Sequence, residues 1–92
     1  MNSEKREAFR IALLRVMDAN HTPYGLGLPA LAELAAAFGF PKLSNRVVER
    51  EILYLEDKRY VLQLLKPISP ENRVWRITAE GRDYLAQLTR EE

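Results

Sequence analysis

The chain contains no cysteine and a single histidine, His21. The first absence excludes a disulfide-stapled scaffold, an iron–sulfur site and a thiol nucleophile. The second leaves too few nitrogen and sulfur donors for a protein-only metal site, which needs several converging ligands. Long apolar runs are also missing. The longest span four or five residues, against the roughly 20 that a membrane-crossing helix needs. The N-terminal stretch Met-Asn-Ser-Glu-Lys-Arg-Glu is charged and no apolar core follows it, so no secretory signal is expected. Low-complexity tracts are absent, and apolar residues make up 47% of the 92 residues, which argues against a disordered or fibrous chain. The expectation is one soluble, cytoplasmic domain spanning residues 1–92.

Charge of one sign is scarce as well. Fourteen Lys and Arg face thirteen Asp and Glu, a net of +1. A strong excess of base, the usual footprint of a nucleic-acid binder, is therefore not present, and any such role must come from local placement. The local sums are uneven. Residues 42–59 carry a net +1, residues 60–82 a net +2 and the last ten a net −2. Arginine outnumbers lysine ten to four, and arginine is the better fork for phosphate and base edges.

Periodicity supplies the elements. Phe9, Leu13, Val16 and Met17 recur at helical spacing within a first helix from Ser3 to about Asn20, with Ser3 as its expected cap. Asn20, Pro23, Gly25 and Gly27 then break the chain, and Tyr24–Leu28 can hold a short extended piece. Pro29 suits the first position of a second helix, Ala30 to Phe38, whose expected buried face is Leu31, Leu34, Ala35 and Phe38. Gly39 stands where a left-handed residue ends a helix. After the turn Phe40–Leu43, Ser44 caps a third helix running to about Lys58, with Val48, Ile52 and Leu55 facing inward. Its opposite face then carries Arg46, Arg50 and Asp57, flanked by Glu49. Glu49 and Glu51 read as intrahelical partners of the neighbouring arginines.

Past Lys58 the period changes to two. Tyr60–Lys66 and Arg73–Ile77 read as the strands of a hairpin whose turn, Pro67–Asn72, holds two prolines. Trp75 and Ile77 share one face and Arg76 takes the other. Thr78 caps a last helix, Ala79 to about Leu88, with Tyr84, Leu85 and Leu88 inward. The fold class expected is mainly α with a small β-hairpin (α+β), in the order helix, helix, helix, strand, strand, helix.

Three local patterns in that order resemble the winged helix-turn-helix domain. Ala32-Glu33-Leu34-Ala35, Gly39 and Leu43-Ser44 look like a second helix, a turn and the start of a recognition helix. Val48, Ile52, Leu55 and Tyr60-Val61 look like the pattern Leu-x-x-Leu-x-x-x-Gly-Leu-Val that ends such a helix and opens the wing. Glu71-Asn72-Arg73 followed by Arg76-Ile77-Thr78, Gly81-Arg82 and Leu85 looks like the wing and final helix of MarR-like and PadR-like bacterial regulators. The compact size, with Tyr54 just before Leu55, is also similar to small winged-helix proteins encoded in Mu-like prophages. Two departures stand out. The family's usual glycine before the wing strand is Arg59 here, which must take a left-handed conformation or mark a different helix ending. The long terminal helices that MarR-like proteins use for dimerisation and effector binding have no counterpart.

The resemblance implies a DNA-binding protein, a transcriptional regulator of bacterial or phage origin, with helix 44–58 in the major groove and the 60–77 hairpin as its wing. Carried over residue by residue, the DNA-contacting set is Lys42, Ser44, Asn45, Arg46, Glu49 and Arg50, with Lys66, Arg73 and Arg76 on the wing. Arginine forks onto guanine and asparagine onto adenine, and the helix start suits a phosphate. Double-stranded DNA is the expected partner, bound by a homodimer whose two half-sites raise the affinity of a +1 chain. No cofactor, metal, membrane or small-molecule effector is implied. Leu53 and Tyr54, beside the outer face of the same helix, form a candidate interface, either for that dimer or for a protein-interaction or assembly module that does not read DNA. Gly25-x-Gly27 lacks the third glycine and leading strand of a dinucleotide loop, and Ser44 and Ser69 have no base partner in sequence, so no enzyme is expected.

Overall fold

Side-chain caps and left-handed residues set the limits of the helices. The computed structural model describes residues 2–20, 22, 24–41, 43–64 and 73–91. Helix α1 spans Ser3–Ala19, and its cap is Asn2, whose Oδ1 accepts from the Lys5 amide at 2.9 Å. The cap thus sits one residue before the expected Ser3, because the asparagine already satisfies that amide. Strand β1 is Leu26–Gly27 and helix α2 is Leu28–Ala36, with Pro29 in its first turn. Helix α3, Asn45–Asp57, starts as expected at Ser44, whose Oγ accepts from the Val47 amide at 3.4 Å. Strands β2 (Val61–Gln63) and β3 (Val74–Ile77) follow, then helix α4, Ala79–Glu91. The fold is α+β, in the expected order of three helices, a strand pair and a fourth helix.

Helices α2 and α3 end in the same way. Gly39 (φ +94°) donates to Ala36, and Phe40 donates back to Ala35 at 3.4 Å. Arg59 (φ +67°) donates to Glu56, and Tyr60 donates back to Leu55 at 3.0 Å. This is the paired closure in which a left-handed residue reverses the chain and satisfies the last carbonyls. Glycine does this without steric cost. Arg59 takes the first of the two courses open to it, the left-handed conformation, at a steric cost. The residue after each reversal then packs. The Phe40 ring meets Phe9 edge-on at 5.2 Å, and Tyr60 stacks on Tyr84 at 4.7 Å. Phe38, expected on the buried face of α2, is instead 46% exposed. The helix stops at Ala36, so helical spacing no longer carries the ring inward, and Phe40 fills the place against α1.

The sheet is antiparallel with strand order β1-β3-β2. Leu26 pairs with Trp75 and Val61 with Ile77. The short extended piece before α2 is thus a third strand. Trp75 and Ile77 point into the core and Arg76 points out. Trp75 is fully buried beside Phe9, Leu13, Leu31 and Ile52, and its Nε1 donates to Glu56 on α3 at 2.9 Å. Each fully buried side chain of this size contributes roughly 1.5–3 kcal/mol. Behind the sheet, Thr78 joins the strand pair to α4. Its hydroxyl accepts from the Gly81 amide at 3.0 Å and donates to the Arg59 carbonyl at 2.7 Å. Leu85 and Gly81 are buried on α4, while Tyr84 and Leu88 are half-buried. Among the described residues no helix is long and apolar enough to cross a membrane.

Candidate nucleic-acid interface

Packing divides α3 into four sides. Val48, Ile52 and Leu55 face the core. One flank carries Glu49 and Glu56, which reach Arg73, just before β3, and Trp75 on β3. The other flank carries Glu51 and Tyr54, which meet α1. The remaining strip carries Arg46 and Arg50, one turn apart and exposed. Ser44 and Asn45 are exposed at its N-terminal end, where the helix dipole favours an anion.

The candidate residues are therefore brought together only in part. Ser44, Asn45, Arg46 and Arg50 share one exposed helical end. Arg73 is half-buried, paired with Glu49, and its guanidinium carbon lies 5.3 Å from the Trp75 ring centre. Arg76 is exposed on the outer face of β3. Lys42, Lys66, His21 and the Pro67–Asn72 turn lie outside the described residues. Leu53 is half-buried against the core. Tyr54 is 40% exposed, but its ring is covered by Arg10, whose guanidinium carbon lies 3.6 Å from the ring centre, with Lys58 Nζ at 5.8 Å.

Comparison with known protein families, curated proteins and solved structures finds no match to this chain.

One functional feature escaped the sequence reading. Glu51, expected as a surface partner for its neighbours on the helix, is 0% exposed. Arg50 does pair with it, but so do Arg6 and Arg10 from α1. Burial pushes the Glu51 carboxyl up. Hydrogen bonds from Arg50 and Arg10, with the charges of Arg10 and Arg6, outweigh that and hold it below the usual carboxylate value. The available signal was positional. Residue 51 lies three after Val48 and four before Leu55, on the buried side of the helix, and Arg6 and Arg10 stand four apart on the first helix. Among the described residues no group of His, Cys, Asp or Glu could hold a metal ion.

Proposed function

We propose that this chain is a winged-helix DNA-binding protein acting as a transcriptional regulator, with α3 entering the major groove and the β2–β3 pair serving as the wing. The observation that carries the reading is the exposed N-terminal end of α3, where Asn45, Arg46 and Arg50 stand clear of the core beside a strand pair anchored to the same helix. A helix end of this kind fits the groove, and its side chains are those that fork onto adenine and guanine edges. Arg73 and Arg76 supply backbone contacts from the wing. Two copies acting on two half-sites would add the affinity that a +1 chain lacks.

Titration of a mixed-sequence duplex at low and moderate salt tests this reading. Phosphate contacts predict a steep linear fall of log affinity with log salt. Absence of binding at low salt overturns the reading and favours a protein-interaction role for the Leu53–Tyr54 face. Where binding occurs, Arg46→Ala erodes sequence preference, whereas Arg76→Ala weakens all sequences alike. Light scattering of the free and DNA-bound protein reads the copy number. A single copy on a duplex bearing two half-sites removes the dimer.

A further inference from the structure

The surroundings of Glu51 hold more positive charge than the carboxylate needs. Arg10 Nε donates to Oε1 at 2.7 Å, and Arg50 Nε and Arg6 Nε donate to Oε2 at 2.8 and 3.3 Å. Three guanidiniums around one carboxylate leave an excess of two positive charges. Glu7 and Lys58, of opposite charge, both line the adjoining cleft between α1, α3 and α4. The two carboxylate oxygens can accept all three hydrogen bonds, but one arginine already neutralises the single negative charge, so the surplus is one of charge.

The pattern of donors points the same way. Every one of these contacts uses Nε. Among the described residues, the Nη groups of Arg6, Arg10 and Arg50 make no hydrogen bond. Those of Arg6 and Arg10 reach solvent, because no buried side-chain nitrogen is left without a partner. The side chains are 37%, 18% and 53% exposed for Arg6, Arg10 and Arg50. Arg10 is held twice, by Glu51 at its Nε and by the Tyr54 ring against its plane. A guanidinium fixed in this way loses little freedom when its remaining donors take a ligand.

We propose that Arg6, Arg10 and Arg50 form a phosphate-binding site that takes a backbone phosphodiester of duplex DNA alongside the groove occupied by α3. The proposal rests on the DNA-binding reading and adds α1 to the interface. Planar terminal amino groups match phosphate oxygens, and the site's net charge of +2 calls for an anion. Arg50 belongs both to this cluster and to the exposed strip of α3, so a phosphate held here lies at the edge of that strip. Arg73 stands on the opposite flank of the helix, and the two sites bracket it. Glu51 is a positioning residue, since it is buried and its carboxylate hydrogen-bonds to the arginines.

The test is the salt dependence of duplex binding by the wild type, Arg6→Gln and Arg46→Ala. Arg6 makes the longest contact with Glu51 of the three arginines, so its loss disturbs the fold least. The proposal expects Arg6→Gln to weaken mixed and preferred sequences equally and to reduce the salt slope by about 1, the value for one lost phosphate contact. A variant that folds, by circular dichroism, and keeps the wild-type affinity and slope overturns the proposal while leaving the DNA reading intact. A wild type that binds no duplex overturns both. If Arg6→Gln alone does not fold, the double variant Arg6→Gln with Glu51→Gln removes the pair together and is held to the same slope. Should inorganic phosphate alone stabilise the wild type while the duplex slope of Arg6→Gln is unchanged, the source is free phosphate and the duplex assignment fails.

Discussion

Arg73, the residue leading into β3, donates from Nη2 to Oε2 of Glu49 on α3. Two residues that the winged-helix resemblance assigns to DNA thus hold each other, one on α3 and one just before β3. The pair is part-exposed, at 26% and 36%, and such pairs contribute only about 0–1 kcal/mol to stability. Its consequence lies in positioning and charge, because Glu49 offsets the charge of Arg73.

Glu49→Gln should therefore strengthen binding to a mixed duplex. Removing one negative charge from beside a phosphate backbone changes the energy by on the order of 1 kcal/mol, roughly fivefold in affinity. Fluorescence anisotropy at low salt measures this, and the gain should shrink as salt rises. A fall in affinity confined to particular sequences would instead make Glu49 a reader of cytosine.

The Glu51 cluster gives a pH dependence with a definite sign. The folded carboxyl titrates below its ordinary value. The stability it supplies is thus fully present above the unfolded value, about 4.3, and is lost as pH falls through the lower folded value. Melting temperatures of wild type and Glu51→Gln should differ by a constant amount from pH 7 to about 5 and converge as pH falls through the lowered folded value. At neutral pH the variant should lose about 2 kcal/mol. That is less than the roughly 3–5 of a fully buried broken pair, since water already reaches the arginines. A difference that stays constant into acid would show that Glu51 is not the titrating group.

The sequence made much of this framework legible where a residue type has one dominant physical use. Ser44 caps α3 and Gly39 reverses the chain after α2, because a hydroxyl at a helix start and a glycine past its end each solve one backbone problem. Val48, Ile52 and Leu55 face inward for the same reason of spacing. Other features follow from tertiary context. The two-residue strand β1 is too short to show a period and exists because β3 has a free edge for it. Glu51 occupies an inward position with a charged side chain, so its polarity masked its location, and only the arginines of α1 make that burial tolerable. Tyr54 stands where the wheel places it, but the Arg10 that covers its ring lies 44 residues earlier in the chain.

Gly81 tests how α4 seats on the strand pair. A Cβ at this position would lie 2.3 Å from the Tyr60 carbonyl oxygen and 2.8 Å from Ile77 Cγ1. The first neighbour is backbone and cannot rotate away. Gly81→Ala should cost about 3 kcal/mol or more, at the upper end of overpacking changes. Gly39→Ala is the comparison, since nothing lies within 4 Å of its added carbon and only the φ of +94° opposes it. That cost should be about 1–2 kcal/mol. Urea unfolding of the two variants ranks them, and a smaller loss at Gly81 would refute the close seating of the helix.

Arg59 is the residue where the chain departs from the glycine that its helix ending favours. Three hydrogen bonds hold its conformation: its amide to Glu56 at 2.9 Å, the Tyr60 amide to Leu55 at 3.0 Å, and the Thr78 hydroxyl to its carbonyl at 2.7 Å. None of them uses the arginine side chain. Arg59→Gly keeps all three and relieves the left-handed cost of about 1–2 kcal/mol. Against this stands the extra freedom of glycine in the unfolded chain, about 0.4–1 kcal/mol. The balance is a gain of roughly 0.5–1 kcal/mol, or about 3–6 °C in melting temperature for a domain of this size. A lower melting temperature would mean that the arginine side chain itself stabilises the fold. An unchanged salt slope for duplex binding in the same variant would place Arg59 outside the DNA contact surface, and a reduced slope would assign it a phosphate.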